Sequence, residues 1–550
     1  MYNNMLRWIL FIISLSLVIC AFEPTQSNDE ITVLDIAHPL QSPALMGADS
    51  IMAQKENVYE PIGEIDIIRI EELYHLVDTL GDSLWASFDI REIPIAINKE
   101  NKQELLLNHP NPSEHFTRFG DCEIDSRPVL IREGCTIFGP EGGGWATNID
   151  GVLTAYVSVR QEWQTTDDYL STLLHECFHV FQRKFWKYTD EGFGELPELE
   201  AEYSALIGLE SRIIHDILTS DASEKISERS RMFVAVRQHR QKKLQEDVVR
   251  SEIREEFNEG TATYIQVRLM ELCAGTGGIQ PLRPEIDPHY SGFAGAAERY
   301  KQYLAEILPP DSTIITFFHA KYKIGMAQCL LLDRVQPGWK EELRDTSISQ
   351  FNIIESAFPL SDEEQAELIE RAKQRYGYEE LLAGQSDLVS RQTVSLRGYM
   401  EAPGRRYRIY YGNIPGPFKW KPKGPVHHVP NSLALEIDEE LAIPYPDGMP
   451  RMSSNTGPYI WGGGIERFEV GGMIFESKEV PVIFRMGYIE WIDTEPAEDG
   501  SDLMIQSKEV SGDVHQELVM ITDGFELRAP KARVLISERV VHIIPLLDAD

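Results

Sequence analysis

The chain has 550 residues, 42% apolar and 25% charged, the composition of a folded protein with two to four domains rather than of a disordered chain. A formal net charge of −36 argues against nucleic acid or an anionic membrane as a partner, since both require basic surface.

Residues 1–21 read as a signal peptide: Arg7 precedes an apolar run from Trp8 to about Phe22, short for a membrane span, and polar residues follow. Export is therefore expected, to the cell surface, the periplasm or the medium. Leu17-Val18-Ile19-Cys20 resembles a lipoprotein box, which would anchor a lipid at Cys20, although Ile19 stands where a small residue belongs. An uncleaved anchor is the other alternative, and no later stretch is long and apolar enough to span. Residues 22–60 are polar and irregular and read as a linker.

Residues 61–164 mix signals, as the α/β part of a catalytic unit would. "EIDIIRIEELYHLVDTLG" predicts a helix following a strand, "IPIAIN", "RPVLIR" and "VLTAYVSV" predict strands, and "FGPEGGGWATNIDG" reads as a glycine-rich loop without a phosphate-cradle pattern. Cys122 and Cys135, flanked by turn residues, could pair in an oxidising compartment. With Cys177, Cys273 and Cys329 they make five cysteines after cleavage, odd and sparse, so no disulfide scaffold is expected.

Helical periodicity dominates residues 165–385. A helix starts at Thr165 or Thr166 and runs to about Trp186. "LPELEAEYSALIGLESRIIHDIL" forms a second, a charged helix covers 223–246, and "VVRSEIREEFNEGTATYIQVRLMEL" another. Residues 296–308, 318–333 and 361–384 add more. Over 386–550 short alternating runs between prolines and glycines predict an all-β, sandwich-like domain. "FKWKPKGP" at 418–425 reads as a solvated turn and His427-His428 as a surface pair. The fold class is thus multidomain α+β.

The chemistry lies in "LLHECFHVFQ", residues 173–182. Residues four apart share a helix face, so His175 and His179 can offer two imidazoles to one ion. Glu176 beside them can act as the base that takes a proton from water on a zinc ion. The bland reading is a pair of core histidines on an amphipathic helix. The uncharged residues around the pair favour a buried active-site helix. Cys177 lies one position off the histidine face and reads as packing.

A catalytic zinc usually keeps three protein ligands. Glu198, nineteen residues past His179, and Glu210, among apolar neighbours, are both candidates. The stronger one is Glu259 in "EEFNEGTATYIQ", where Gly260 implies close helix packing. A donor for a developing oxyanion could come from Tyr322, Tyr264, His319 or His289, with Tyr322 first because it heads the small-residue helix "YKIGMAQCLLL".

"LLHECFHVFQ" together with "EFNEGTATYIQ" resembles the gluzincin class of zinc metallopeptidases, and the order of motifs over about residues 90–385 resembles poorly characterised secreted bacterial proteins of that type. The resemblance implies a zincin-like helical domain, zinc on His175, His179 and Glu259, Glu176 as base, and a peptide or protein substrate. Two departures stand out. Eighty residues separate His179 from Glu259, so helices must be inserted, and Thr263 stands where some gluzincins carry an aspartate that orients a histidine. Three functions follow as expectations: a secreted zinc metallopeptidase, a non-catalytic extracellular binding protein with a structural or vestigial metal, or a zinc hydrolase of non-peptide amides.

Overall fold

The computed structural model describes residues 61–99, 102–135, 144–159, 165–184, 201–220, 223–309, 315, 319–345 and 347–401. It also describes 405–410, 418–422, 426–428, 459–461, 465–470, 473–477, 482–485, 488–493, 504–521, 525–536 and 540–546. The stretches expected as a signal peptide and a linker, with Cys20 and Glu198, lie outside the described residues. The protein is a mixed α+β multidomain chain with two compact units that part at Asp387/Leu388.

The first unit opens with helix α1, Glu64–Leu80. No strand precedes it within "EIDIIRIEELYHLVDTLG", against expectation. Asp66 explains why: its carboxylate accepts from the Gly63 N–H at 2.8 Å, satisfying a donor at the helix start, and also takes Lys99 Nζ at 2.8 Å. Six strands follow: β1 Ile95–Lys99, β2 Gln103–Leu107, β3 Thr117–Ile124, β4 Arg127–Glu133, β5 Gly144–Ile149 and β6 Val152–Val159. They order as β3-β4-β2-β1-β6-β5, with β1 and β6 parallel and the other pairs antiparallel. One face carries Ile95, Ile97, Leu105, Leu107, Ala155 and Val157 into the core, the period-2 alternation that strands impose. The expected glycine-rich loop contains β5, the edge strand. Cys122 and Cys135 form no disulfide. Glu123 pairs with Pro128 at the start of β4, whereas Cys135 lies past the far end of that strand, so the two are separated by most of its length.

Helix α2, Thr166–Gln182, begins at Thr165, whose side chain accepts from the Asp168 N–H at 3.2 Å. It ends four residues before the expected Trp186, which lies outside the described residues. α2 packs on β5 and β6. Phe178 meets Trp85 edge-on at 5.1 Å and Phe88 at 5.4 Å between ring centroids. Such a buried aromatic side chain contributes about 3 kcal/mol by area alone. Cys177 is fully buried, as packing requires.

Three helices then intervene: α3 Ala201–Leu218, α4 Ser223–Gln241 and α5 Glu246–Glu255. A π turn, Glu256–Gly260, leads into α6, Thr261–Thr276, and α7 is Ala296–Ala305. A second π turn, Ala320–Ile324, leads into α8, Gly325–Val335. Helices α9 Gln350–Ala357, α10 Asp362–Arg375 and α11 Tyr378–Glu401 follow.

In the second unit the described strands form a 13-stranded mixed sheet. Strand Phe525–Ile536 organises it. Val514–Ile521 lies along one edge of that strand, while Met473–Ser477 and then Val540–Pro545 share the other. The handover falls at Pro530, which has no N–H to give a ladder. Residues 418–422, expected as a turn, are a strand paired with Ile465–Val470, and His427-His428 lie on a strand paired with Tyr459–Trp461.

Candidate metal centre

Helix α2 presents His175, His179 and Gln182 at i, i+4 and i+7, one face turned toward α6. Both histidines are buried. Each imidazole is held by a glutamine. His175 Nδ1 lies 3.1 Å from Gln266 Oε1, and His179 Nδ1 lies 2.9 Å from Gln182 Oε1. The amides cannot be turned round. Gln266 Nε2 donates to the Ser171 carbonyl at 3.3 Å, and Gln182 Nε2 donates to the Asn258 carbonyl at 2.9 Å. The oxygens therefore face the imidazoles, each Nδ1 donates to its glutamine, and each Nε2 is left facing the cluster, where it can offer a lone pair to an ion once it carries no proton.

Those two Nε2 atoms converge on Glu259 Oε2, at 3.6 Å from His175 and 3.4 Å from His179. Such separations are long for hydrogen bonds. They fit the edge of a tetrahedron around zinc, about 3.4 Å for ligand distances near 2.1 Å. His175, His179 and Glu259 are the cluster among the described residues whose donor atoms, within 4.8 Å of one another, could hold a metal ion. The donor set, two neutral imidazoles and one carboxylate, suits zinc chemically. Burial works to raise the Glu259 pKa, but His179, His175 and Lys321 override it and keep the carboxylate ionised. Asn258 Nδ2 donates to its other oxygen at 3.2 Å.

Within the 80-residue gap the described residues form α3, α4 and α5, and the π turn that follows carries Glu259. Gly260 explains the local sequence. A Cβ there would sit 2.6 Å from the backbone of Gly325, so the two π turns touch through glycine. Wide turns of this kind recur at functional sites.

Glu176 is buried, and its Oε2 finds no hydrogen bond among the described residues. Burial pushes its pKa up to about 8; His175 lowers it and Glu259 raises it. The edge strand crosses directly over it: a Cβ on Gly144 would lie 2.6 Å from Glu176 Cγ and Oε1.

Of the four candidate oxyanion donors, Tyr322 faces the cluster. Burial raises its pKa well above the ordinary phenol value, with Glu259 and then Glu176 adding to it. Its hydroxyl is buried and completes no well-formed hydrogen bond among the described residues. The others lie elsewhere. Tyr264 donates to Asp333 Oδ2 at 2.8 Å, His319 Nε2 lies 3.0 Å from the Ile307 carbonyl, and His289 is exposed. Glu210 is also elsewhere, fully buried against Arg237 and Arg240. Thr263 orients no histidine; its hydroxyl has no partner among the described residues. Gln182 and Gln266 take that role, and no motif marks a glutamine for it. Comparison with protein-family models, curated proteins and solved structures finds no match for the chain.

Proposed function

We propose that the protein is an exported zinc-dependent metallopeptidase with a zincin-like catalytic unit and a sandwich-like C-terminal β domain. The observation that carries this reading is Glu176: a buried carboxyl, one of whose oxygens has no hydrogen-bond partner among the described residues, beside three convergent donors. A purely structural metal site has no use for it. His175, His179 and Glu259 would hold the ion, which when bound polarises a carbonyl and acidifies water. Glu176 removes the proton from the attacking water and returns it to the leaving amine. The Tyr322 hydroxyl, buried beside Glu259, donates to the oxygen that gains charge, an interaction made in the transition state. The test compares wild type with Glu176→Gln on a peptide library at equal metal content. Cleavage by wild type, lost by about 1,000-fold or more in the variant, supports the reading, because removing the base removes the general acid–base step as well as the developing charge balance. Equal cleavage by both would refute the role of Glu176.

A further inference from the structure

Behind Glu259 lies a cluster of charges with almost no solvent. Arg237 and Arg240 on α4 meet Glu210 on α3, Glu252 on α5 and Glu256 in the π turn, and all five side chains are at most 3% exposed. Arg240 grips Glu210 and Glu252 with contacts of 2.6 Å each, joining α3 and α5. Arg237 does something different. Its Nη1 donates to Glu210 Oε2 at 3.2 Å, and its Nη2 donates to Glu256 Oε2 at 2.5 Å. Glu256 precedes Glu259 by three residues in the same π turn.

The turn is pinned on its other sides too. Gln328 Nε2 donates to Glu256 Oε2 at 2.9 Å, and Gln350 Nε2 donates to the Glu256 backbone carbonyl at 3.2 Å. The amide of Gln182, which orients His179, donates to the Asn258 carbonyl. A buried ionic network does not stabilise a fold better than apolar packing would. The positions of these bonds point instead to geometry: they fix a wide, irregular turn that ordinary helix bonding specifies poorly.

We propose that Arg237, acting through Glu256, is a positioning residue that sets where the Glu259 carboxylate stands against His175 and His179. The inserted helices then have a role in the site: α3 and α4 supply the anchor from which the third donor is aimed. This inference rests on the reading of Glu259 as a metal ligand.

Zinc affinity of the full chain, measured by competition with a chromophoric chelator, tests it without any substrate. Arg237→Gln should weaken zinc binding by about 10- to 100-fold, the range for outer-shell partners of a metal site. Arg237→Lys should recover part of that loss. In a Glu259→Ala background, Arg237→Gln should cost nothing further, because the ligand it aims is gone. If Arg237→Gln does not fold, the isosteric Glu256→Gln takes its place and should weaken zinc at least several-fold. Undiminished affinity in a folded variant, or a loss of equal size in the Glu259→Ala background, would overturn the proposal. Full zinc affinity in Glu259→Ala alone would instead sink the ligand assignment on which it rests, and the two failures are thereby distinct.

Discussion

At the residue scale, the site depends on close approaches as much as on donors. Gly144 leaves room for Glu176, and a methyl group there would overlap it. Gly144→Ala should therefore keep its metal and lose peptide-library activity by about 10-fold or more, since displacements near 1 Å can cost that much. Metal analysis and the cleavage assay together check this, and an unaffected rate would show that the edge strand does not constrain the base. His319 makes a different prediction. Burial lowers its pKa to about 4, with Lys323 adding to the effect and the Ile307 carbonyl opposing it. The unfolded chain takes up the proton near pH 6.5 and the folded chain only near 4, so the folded state binds fewer protons in between. Stability from this group is fully present above pH 6.5 and falls by about 2–3 kcal/mol as pH drops toward 4. His319→Gln should flatten urea-denaturation stability across that window, and an unchanged slope would contradict the assignment. Legibility is uneven at this scale. His175, Glu176 and His179 could be read from spacing, and Glu259 from the string around it. Gln182 and Gln266 could not, because a glutamine in a helix looks the same whether it meets water or an imidazole.

At the scale of elements, helices were easier to read than their interiors. α2 shows its apolar periodicity openly, and its start at Thr165 follows from a capping residue and acidic first turn. α4 conceals its role. Charged residues crowd it and suggest a solvated helix, yet Arg237 and Arg240 are the buried centre of an ionic cluster. A sequence pattern cannot tell a charge facing water from a charge facing its partner. β5 was hidden by glycines, which signal loops but here permit a strand to pass close over the Glu176 side chain. The π turns were unreadable for a related reason: nothing in "EEFNEG" or "AKYKI" distinguishes them from ordinary helix. Their contact makes a prediction. Gly260→Ala would drive a Cβ into Gly325 and should destabilise the chain by about 1–3 kcal/mol, as overpacking does. Urea denaturation checks this, and a neutral result would mean that the two turns part without cost.

At the scale of the whole molecule, α+β class could be read from the change in pattern along the chain, because helical and strand periods differ plainly, but not its position: strands were expected from residue 386, whereas α11 runs on to Glu401. Pairing order could not: neither the parallel β1–β6 pair nor the handover at Pro530 leaves a local signal. None of the described helices is long and apolar enough to cross a membrane. Metal should act on one unit only. Zinc at about 1,000 times its dissociation constant adds about 4 kcal/mol to the state that binds it. Chelation should lower the unfolding transition of the unit carrying His175, His179 and Glu259 and leave that of the C-terminal β unit in place, as calorimetry would resolve. The most direct measurement is the metal content of the purified protein. The account predicts one zinc per chain, retained in Glu176→Gln and lost in His179→Ala. A wild-type chain that takes up no zinc would contradict it.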